Sequence, residues 1–383
     1  MDRRCANVVA GDATPQADRA MSAGRPLNRL TADVLAVLRD SVRDRIFPGA
    51  VAALISRTDE IYIPFGYETY EPGARPIPGD SIFDIASLTK IVATATAIMQ
   101  LVERKQLALD DHACEFLPDL RHTPKDRITI AQLLAHTAGF PGGEPLRHYD
   151  TRDERVNAIF SMDLAYAPGT DRVYDDLGYI LLGFIVEAVT GVAFDTYCEN
   201  EILRPLGMRE TMFVPPAALL PRIVPTEIDP DRGGLLRGVV HDGTASKLGG
   251  VAGHAGLFST ARDLGRFCRA MMRHAEGALG GVLSSQSVQR MWSPQWQDHE
   301  GEYALGWDRL RPSYMNGLDD RGAVGHTGFT GVSLVISPRH DVALILLSNR
   351  VHPVRSDRTQ IGLARRRFVE AALRHCQAAT ERA

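Results

Sequence analysis

The segment Phe83-Asp84-Ile85-Ala86-Ser87-Leu88-Thr89-Lys90, followed by the apolar run Ile91 to Met99, constrains this chain more than any other. Ile91, Ala95, Ile98 and Val102 recur at helical spacing, so a helix starts near Ser87 and buries one face. In such a helix Ser87 and Lys90, three residues apart, share that face in the first turn. A hydroxyl there sits at the positive end of the helix dipole, with an amine in reach of its proton. That layout suits a nucleophilic serine with a lysine partner. With 17 serines and four lysines in the chain, the spacing alone arises by chance in about one such sequence in five. Its weight comes from its place at a helix start and from the residues that follow.

At 383 residues the chain can bury a large core as one domain or two intimate ones. A net charge of −4 gives no reason to expect nucleic acid or an acidic membrane as partner. Cys5, Cys114, Cys198, Cys268 and Cys376 are odd in number, scattered and free of any Cys-x-x-Cys pair. They read as free thiols of a reducing, cytoplasmic compartment. No apolar run approaches membrane-spanning length. Residues 1–26 are polar and rich in Gly, Ala and Pro, and read as a flexible leader without the apolar core of a signal peptide.

Asn28 to Arg45 reads as an amphipathic helix. Ala50 to Ile55 and Ile61 to Gly66 read as a strand hairpin in which Pro64 demands edge or irregular pairing. The middle is mainly helical. Thr129 is a plausible cap for a short helix ending before Gly139, and the Phe140–Arg147 loop, with its prolines and glycines, is long enough for a substrate wall. Asp176 to Val189 is a strongly apolar helix stopped by Gly191, residues 214–256 read as an extended loop region, and Thr260 to His274 is helical again. Gly331 to Ile336 and Val342 to Leu347 read as strands, and Thr359 to Ala379 as a closing helix. The expectation is an α/β fold: an antiparallel sheet flanked by N- and C-terminal helices, with an inserted α-helical domain. The α/β domain would comprise residues 27–85 and 300–383, and the insertion residues 86–299.

Acyl transfer by serine needs a base, an oxyanion hole and a group to orient the base. Lys90 at its usual pKa of about 10.4 is protonated at neutral pH, so it needs a partner. Tyr174, in Val173-Tyr174-Asp175-Asp176 ahead of a helix, is that partner. Gly325-His326-Thr327-Gly328-Phe329-Thr330-Gly331 leads into a strand, and its glycines allow a backbone amide such as that of Phe329 to approach an oxyanion. Asp176 has two open readings, as a cap of the following helix or as a holder of Lys90. His136 and His254 read as structural histidines. Trp307 and Phe329 fit either an acyl pocket or the core. No His-Glu-x-x-His, paired-Cys, Gly-Lys or Gly-x-Ser-x-Gly pattern marks a zinc, P-loop or nucleophile-elbow enzyme.

In this order, Ser87-Leu88-Thr89-Lys90, Tyr174-Asp175-Asp176 and His326-Thr327-Gly328 resemble the three motifs of the penicillin-recognising serine hydrolases. The resemblance is strongest to the class C β-lactamase-like branch, which also holds family VIII carboxylesterases and D-amino-acid peptidases. Ile130–Phe140, Pro168–Gly191, Gly253–Thr260 and Leu347–Arg350 are similar to that branch too, so the resemblance runs from about Pro48 onward. It implies a β-lactamase/transpeptidase-like fold, an acyl-enzyme on Ser87, Lys90 as proton partner, Tyr174 as general base, and an oxyanion hole from the amides of Ser87 and Phe329. It implies no cofactor or metal, and a small ester or amide as the substrate partner. Two departures bear on substrate: Asp176 stands where the family has an amide, and His326 where it has a lysine that would meet a substrate carboxylate. Both favour short-chain esters, a carboxylesterase, over β-lactams or D-alanyl peptides. A non-catalytic binding relative is the alternative from another class.

Overall fold

The computed structural model describes residues 26–275, 281–316, 318, 322–355 and 358–380. Apart from Pro26, the expected leader lies outside the described residues. An eight-stranded antiparallel sheet forms the backbone of the α/β part. In chain order its strands are β1 (Gly49–Ile55), β2 (Glu60–Gly66), β3 (Trp296–Asp298), β4 (Gly301–Tyr303), β5 (Asp308–Arg309), β6 (Val324–Thr327), β7 (Ser333–Ser337) and β8 (Val342–Ser348). Their spatial order is β2-β1-β8-β7-β6-β5-β4-β3. The N-terminal hairpin thus joins C-terminal strands, with Val51 opposite Leu347 and Ala53 opposite Ile345. Pro64 falls on β2, the edge strand, where its missing N–H leaves no ladder bond unmade.

Every residue of β1 and β8 is buried because both sheet faces are covered, which is why these strands read as continuous apolar runs rather than alternating ones. Alternate side chains still go to opposite layers. Ala50, Ala52 and Leu54 face the terminal helices α1 (Pro26–Arg43) and α5 (Arg358–Thr380), meeting Val34, Leu38 and Phe368. Val51, Ala53 and Ile55 face the main core, where α4 (Ala261–Ala275) contributes Leu264 and Phe267.

The helical half packs around α2 (Thr96–Glu103) and α3 (Leu177–Thr190). Gly191 ends α3 in the left-handed region at φ 70°, a conformation open to glycine without a Cβ clash. Thr129 caps its short helix as expected, accepting from the Gln132 amide while Gln132 bonds back. Two expectations need correction. Residues 214–256 are not one extended loop: Ile228–Asp229 pairs with Gly234–Leu235 in a hairpin, and Gly243–Lys247 is a short helix capped by Asp242. The Asp229-Pro230-Asp231 turn and the Asp242 cap were local signals for both. The helix after Ser87 also opens differently, as a wider π-turn over Lys90–Ala95 before α2 begins. Such turns concentrate at functional sites.

Candidate active site

Ser87 stands at the end of a turn fixed by a buried carboxylate. Phe83–Asp84 pairs with Leu257–Ser259, and Asp84 then accepts from the amides of Ala86 at 2.8 Å and His241 at 2.6 Å. Ala86 is held at φ 46°, a strained value for a residue with a Cβ. The Asp84 carbonyl accepts from the Thr330 hydroxyl at 2.8 Å, which ties the Ser87 turn to the turn after β6. The sequence shows Asp84 only as part of the segment before Ser87; its role as the brace between two motifs is a tertiary fact.

Lys90 is fully buried and its ammonium meets three oxygens: Ser87 Oγ at 3.1 Å, Asp176 Oδ1 at 2.6 Å and the His254 carbonyl at 3.3 Å. Burial alone would lower its pKa, but the Asp176 carboxylate and the Tyr174 phenol outweigh burial and hold it above the usual lysine value. Lys90 is therefore a cation at rest. Burial raises the Tyr174 hydroxyl above its ordinary value; the Lys90 charge offsets part of this and the Asp176 charge adds to it. Tyr174 shows a face of its ring to the cleft while its phenol interacts with both Lys90 and Ser87, and the Lys90 ammonium lies 4.9 Å from the ring centre. Ser87, Lys90 and Tyr174 are thus brought together.

The two readings of Asp176 separate here. Its side chain makes no capping bond to α3; it pairs with Lys90. Asp175 caps the helix instead, accepting from the Gly178 amide at 2.6 Å. The same buried carboxylate lies 3.2 Å from His136 Nδ1, and burial pushes it up to about 7. The His136 ring lies 4.5 Å from that of Tyr174, so His136 and Asp175 support the tyrosine from below. The sequence offered Asp176 as the cap; the neighbouring Asp175 takes it because the Asp176 carboxylate is drawn to Lys90.

His254 has a second part to play besides its carbonyl, since its Nε2 pairs with Asp242 at 2.9 Å. Oxygen and nitrogen atoms of Asp176, Asp242 and His254 fall within 4.8 Å of one another, a donor set able to hold a cation. The Lys90 ammonium already supplies positive charge there.

The third motif lies across from Ser87 on β6. Among the described residues, no protein acceptor meets the amide of Ser87 or of Phe329, so both are free to donate to an oxyanion. Gly328 lets the two turns touch: a Cβ there would lie 2.8 Å from the Ile85 carbonyl. His326 donates from Nδ1 to the Thr327 carbonyl at 2.8 Å, and burial lowers its pKa to about 4. It is a neutral imidazole at pH 7. These groups, with Thr327 and Asp176, line a cleft of about 1360 Å³ that the Gly143–Arg147 loop also walls. Phe329 lines it too. Trp307 does not: it is buried and stacks on Phe267 at 6.2 Å, which assigns it to the core.

The family described as Beta-lactamase matches residues 34–366. An N-acetylmuramyl-L-alanine amidase of Bacillus subtilis is 30% identical over 345 residues, covering 80% of this chain and 78% of the amidase. A putative D-alanyl-D-alanine carboxypeptidase of Escherichia coli K12 is 32% identical over 310 residues, covering 71% of this chain and 70% of that protein. In fold, the chain superposes on a class C β-lactamase from Rhodobacter sphaeroides with TM-score 0.73 at 21% identity, over 90% of this chain and 99% of that one. A D-alanine carboxypeptidase from Burkholderia cenocepacia gives 0.72 at 20% identity, over 90% and 99%. With a family match across most of its length and relatives at this level of identity, the chain belongs to the β-lactamase family and is a serine hydrolase.

Proposed function

We propose that the protein opens esters through an acyl-enzyme on Ser87, with Tyr174 as general base and Lys90 as the fixed cation that offsets part of the burial penalty on its phenolate. The observation that carries this reading is the Lys90–Asp176 pair at 2.6 Å. It keeps Lys90 charged, so Tyr174 must both take the serine proton and return one to the leaving group. A phenolate leaves without a proton and an alcohol takes one from Tyr174 late in the step, whereas an amide nitrogen must be protonated as the bond breaks. Short-chain esters therefore suit this site better than amides. The amides of Ser87 and Phe329 would hold the developing oxyanion, and His326, uncharged, would line the cleft rather than bind a carboxylate.

A second reading is favoured by the names of the relatives, an amidase and a putative D-alanyl-D-alanine carboxypeptidase: the natural bond would be an amide in a muramyl or D-alanyl peptide. A panel of 4-nitrophenyl butyrate, nitrocefin and D-alanyl-D-alanine peptides, each run against Ser87→Ala, decides between them. Butyrate turnover well above the other two, lost in the variant, is the expected result. Nitrocefin or peptide turnover equal to or above that of the ester overturns the ester reading. Failure of a fluorophosphonate probe to label Ser87 would favour a non-catalytic relative. A cytoplasmic location is part of this proposal, supported by the free thiols of Cys114, Cys198 and Cys268.

A further inference from the structure

His136 holds the chain on both sides of Tyr174. Its main-chain carbonyl accepts from the Val173 amide at 3.2 Å and from the Tyr166 hydroxyl at 3.1 Å. Its ring accepts at Nδ1 from the Asp175 amide at 3.3 Å. His136 itself is kept in the left-handed region at φ 58°, a conformation that a residue with a Cβ holds only where its surroundings fix it. The ring is buried among Tyr174, Tyr179 and Tyr303, whose ring centres lie 4.5, 5.1 and 5.2 Å away.

The contact between this ring and the Asp175 side chain locates a proton. A nitrogen that accepts the Asp175 amide N–H presents a lone pair and carries no hydrogen. Asp175 Oδ2 lies 3.2 Å from the same Nδ1. Two bare acceptors facing each other in a dry site repel, so the hydrogen of this contact sits on Oδ2. Oδ1 accepts from the Gly178 amide at 2.6 Å, as the C=O of a carboxylic acid would. Charge gives the same answer. The charged groups around the pair are Lys90, Arg172, Asp176 and Asp308. Lys90 is matched by Asp176, Arg172 by Asp298 and Asp308 by Arg311, so each already has its counter-ion. Burial pushes the Asp175 carboxyl up to about 7 and His136 well below the usual histidine value, which favours the proton on oxygen over a charged ring.

We propose that Asp175 is a neutral acid donating from Oδ2 to His136 Nδ1, and that this pair is the positioning element that holds the Tyr174 phenol against Ser87 and Lys90. Both residues act through Tyr174. A carboxylate at Asp175 would set a second negative charge, after Asp176, against the phenolate; the acid does not. The kinetic part rests on the Tyr174 general-base reading above, and the place of the proton does not.

The test compares wild type, Asp175→Asn and Asp175→Ala. Asparagine can cap α3 with Oδ1 and donate from Nδ2 to His136, as the acid does. A carboxylate receiving a hydrogen from Nδ1 would have no such substitute. Nitrogen-15 NMR of histidine-labelled wild type near neutral pH reads the His136 tautomer, the resonance being assigned by its displacement in Asp175→Asn. Nδ1 should be bare and Nε2 protonated. On 4-nitrophenyl butyrate, Asp175→Ala should lower kcat about tenfold or more with little change in KM, and Asp175→Asn should recover most of that loss. A hydrogen on Nδ1 in wild type overturns the proposal, and this measurement stands even if Asp175→Ala does not fold. An unchanged kcat in Asp175→Ala also overturns it, since a lowered Tm would then report the lost helix cap alone. If wild type turns over no ester but Nδ1 is bare, the proton assignment stands and the Tyr174 base reading falls.

Discussion

At the scale of single residues the decisive group is Asp176. Its carboxylate stabilises the Lys90 ammonium and at the same time raises the Tyr174 phenol. The retained ammonium favours the phenolate, whereas the carboxylate's own charge and burial oppose it and leave the phenol above its ordinary value, so ester hydrolysis should rise toward alkaline pH, with one ionisation shared by the pair. Asp176→Asn removes the carboxylate and keeps the shape, and the alkaline limb of the kcat/KM profile should move to lower pH by about one unit. Initial rates against pH for both proteins on one ester check this; superimposable limbs would detach Asp176 from the chemistry. Ser87→Ala, Lys90→Ala and Tyr174→Phe should each remove most of the activity, and the double variants should lose little more, because the three act as one unit. Additive losses in the doubles would argue for independent roles. The three motifs were legible because the chemistry needs specific residue types at short spacings. The partners of those motifs were not: Asp84, His136 with Asp175, and Asp242 with His254 act across 39 to 157 positions of sequence, or between side chains whose meeting depends on how a loop folds back.

At the scale of elements, the site depends on how closely β6 approaches the turn before Ser87. Gly328 carries that approach. Its missing Cβ leaves room for the Ile85 carbonyl and for Ala86 Cβ, which would lie at 2.8 and 3.2 Å. Gly328→Ala should push the Phe329 amide away from the reacting carbonyl and lower kcat about tenfold or more, with a smaller change in KM. Stopped-time assays on 4-nitrophenyl butyrate measure it, and an unchanged kcat would mean that the two turns can separate without harm. The longer elements at the two ends of the chain and α3 and α4 were read from sequence with small shifts of their ends, whereas β3, β4 and β5, of two or three residues each, were not read. β1, β8, α3 and α4 are long enough for periodicity or sustained apolarity to reveal them. The short hairpin at 228–235 has two residues per strand, too few for any period to register. The π-turn at Lys90–Ala95 escapes notice for another reason: an α-helix and a π-turn bury the same apolar run.

At the scale of the whole molecule, the cleft is closed by a strap of charges drawn from distant segments. Arg355, between β8 and α5, pairs with Glu144 of the loop at 140–147 and with Glu227 of the hairpin, at 3.0 and 2.9 Å. Glu227 also meets His241 Nε2 at 2.9 Å, and His241 stacks on Phe329. Burial would raise the Glu227 pKa, but hydrogen bonds from His241 and Arg355 override it and hold the carboxyl down to about 2, against an ordinary 4.5. A carboxyl lowered in the folded state makes the unfolded chain the better proton binder in that interval. The stabilisation is thus complete above pH 4.5 and is lost as pH falls toward 2. Partial exposure screens the pair, so the contribution is about 1 kcal/mol, equivalent to roughly 1 °C in Tm for a chain of this size. Glu227→Gln should lower Tm by that amount at pH 7, and the gap between variant and wild type should close on acidification below pH 4.5. Thermal melts at half-unit steps from pH 7 to pH 2.5 follow the gap. A difference that stays constant to the acid end would show that Glu227 contributes by packing alone, and that the strap does not hold the cleft by charge.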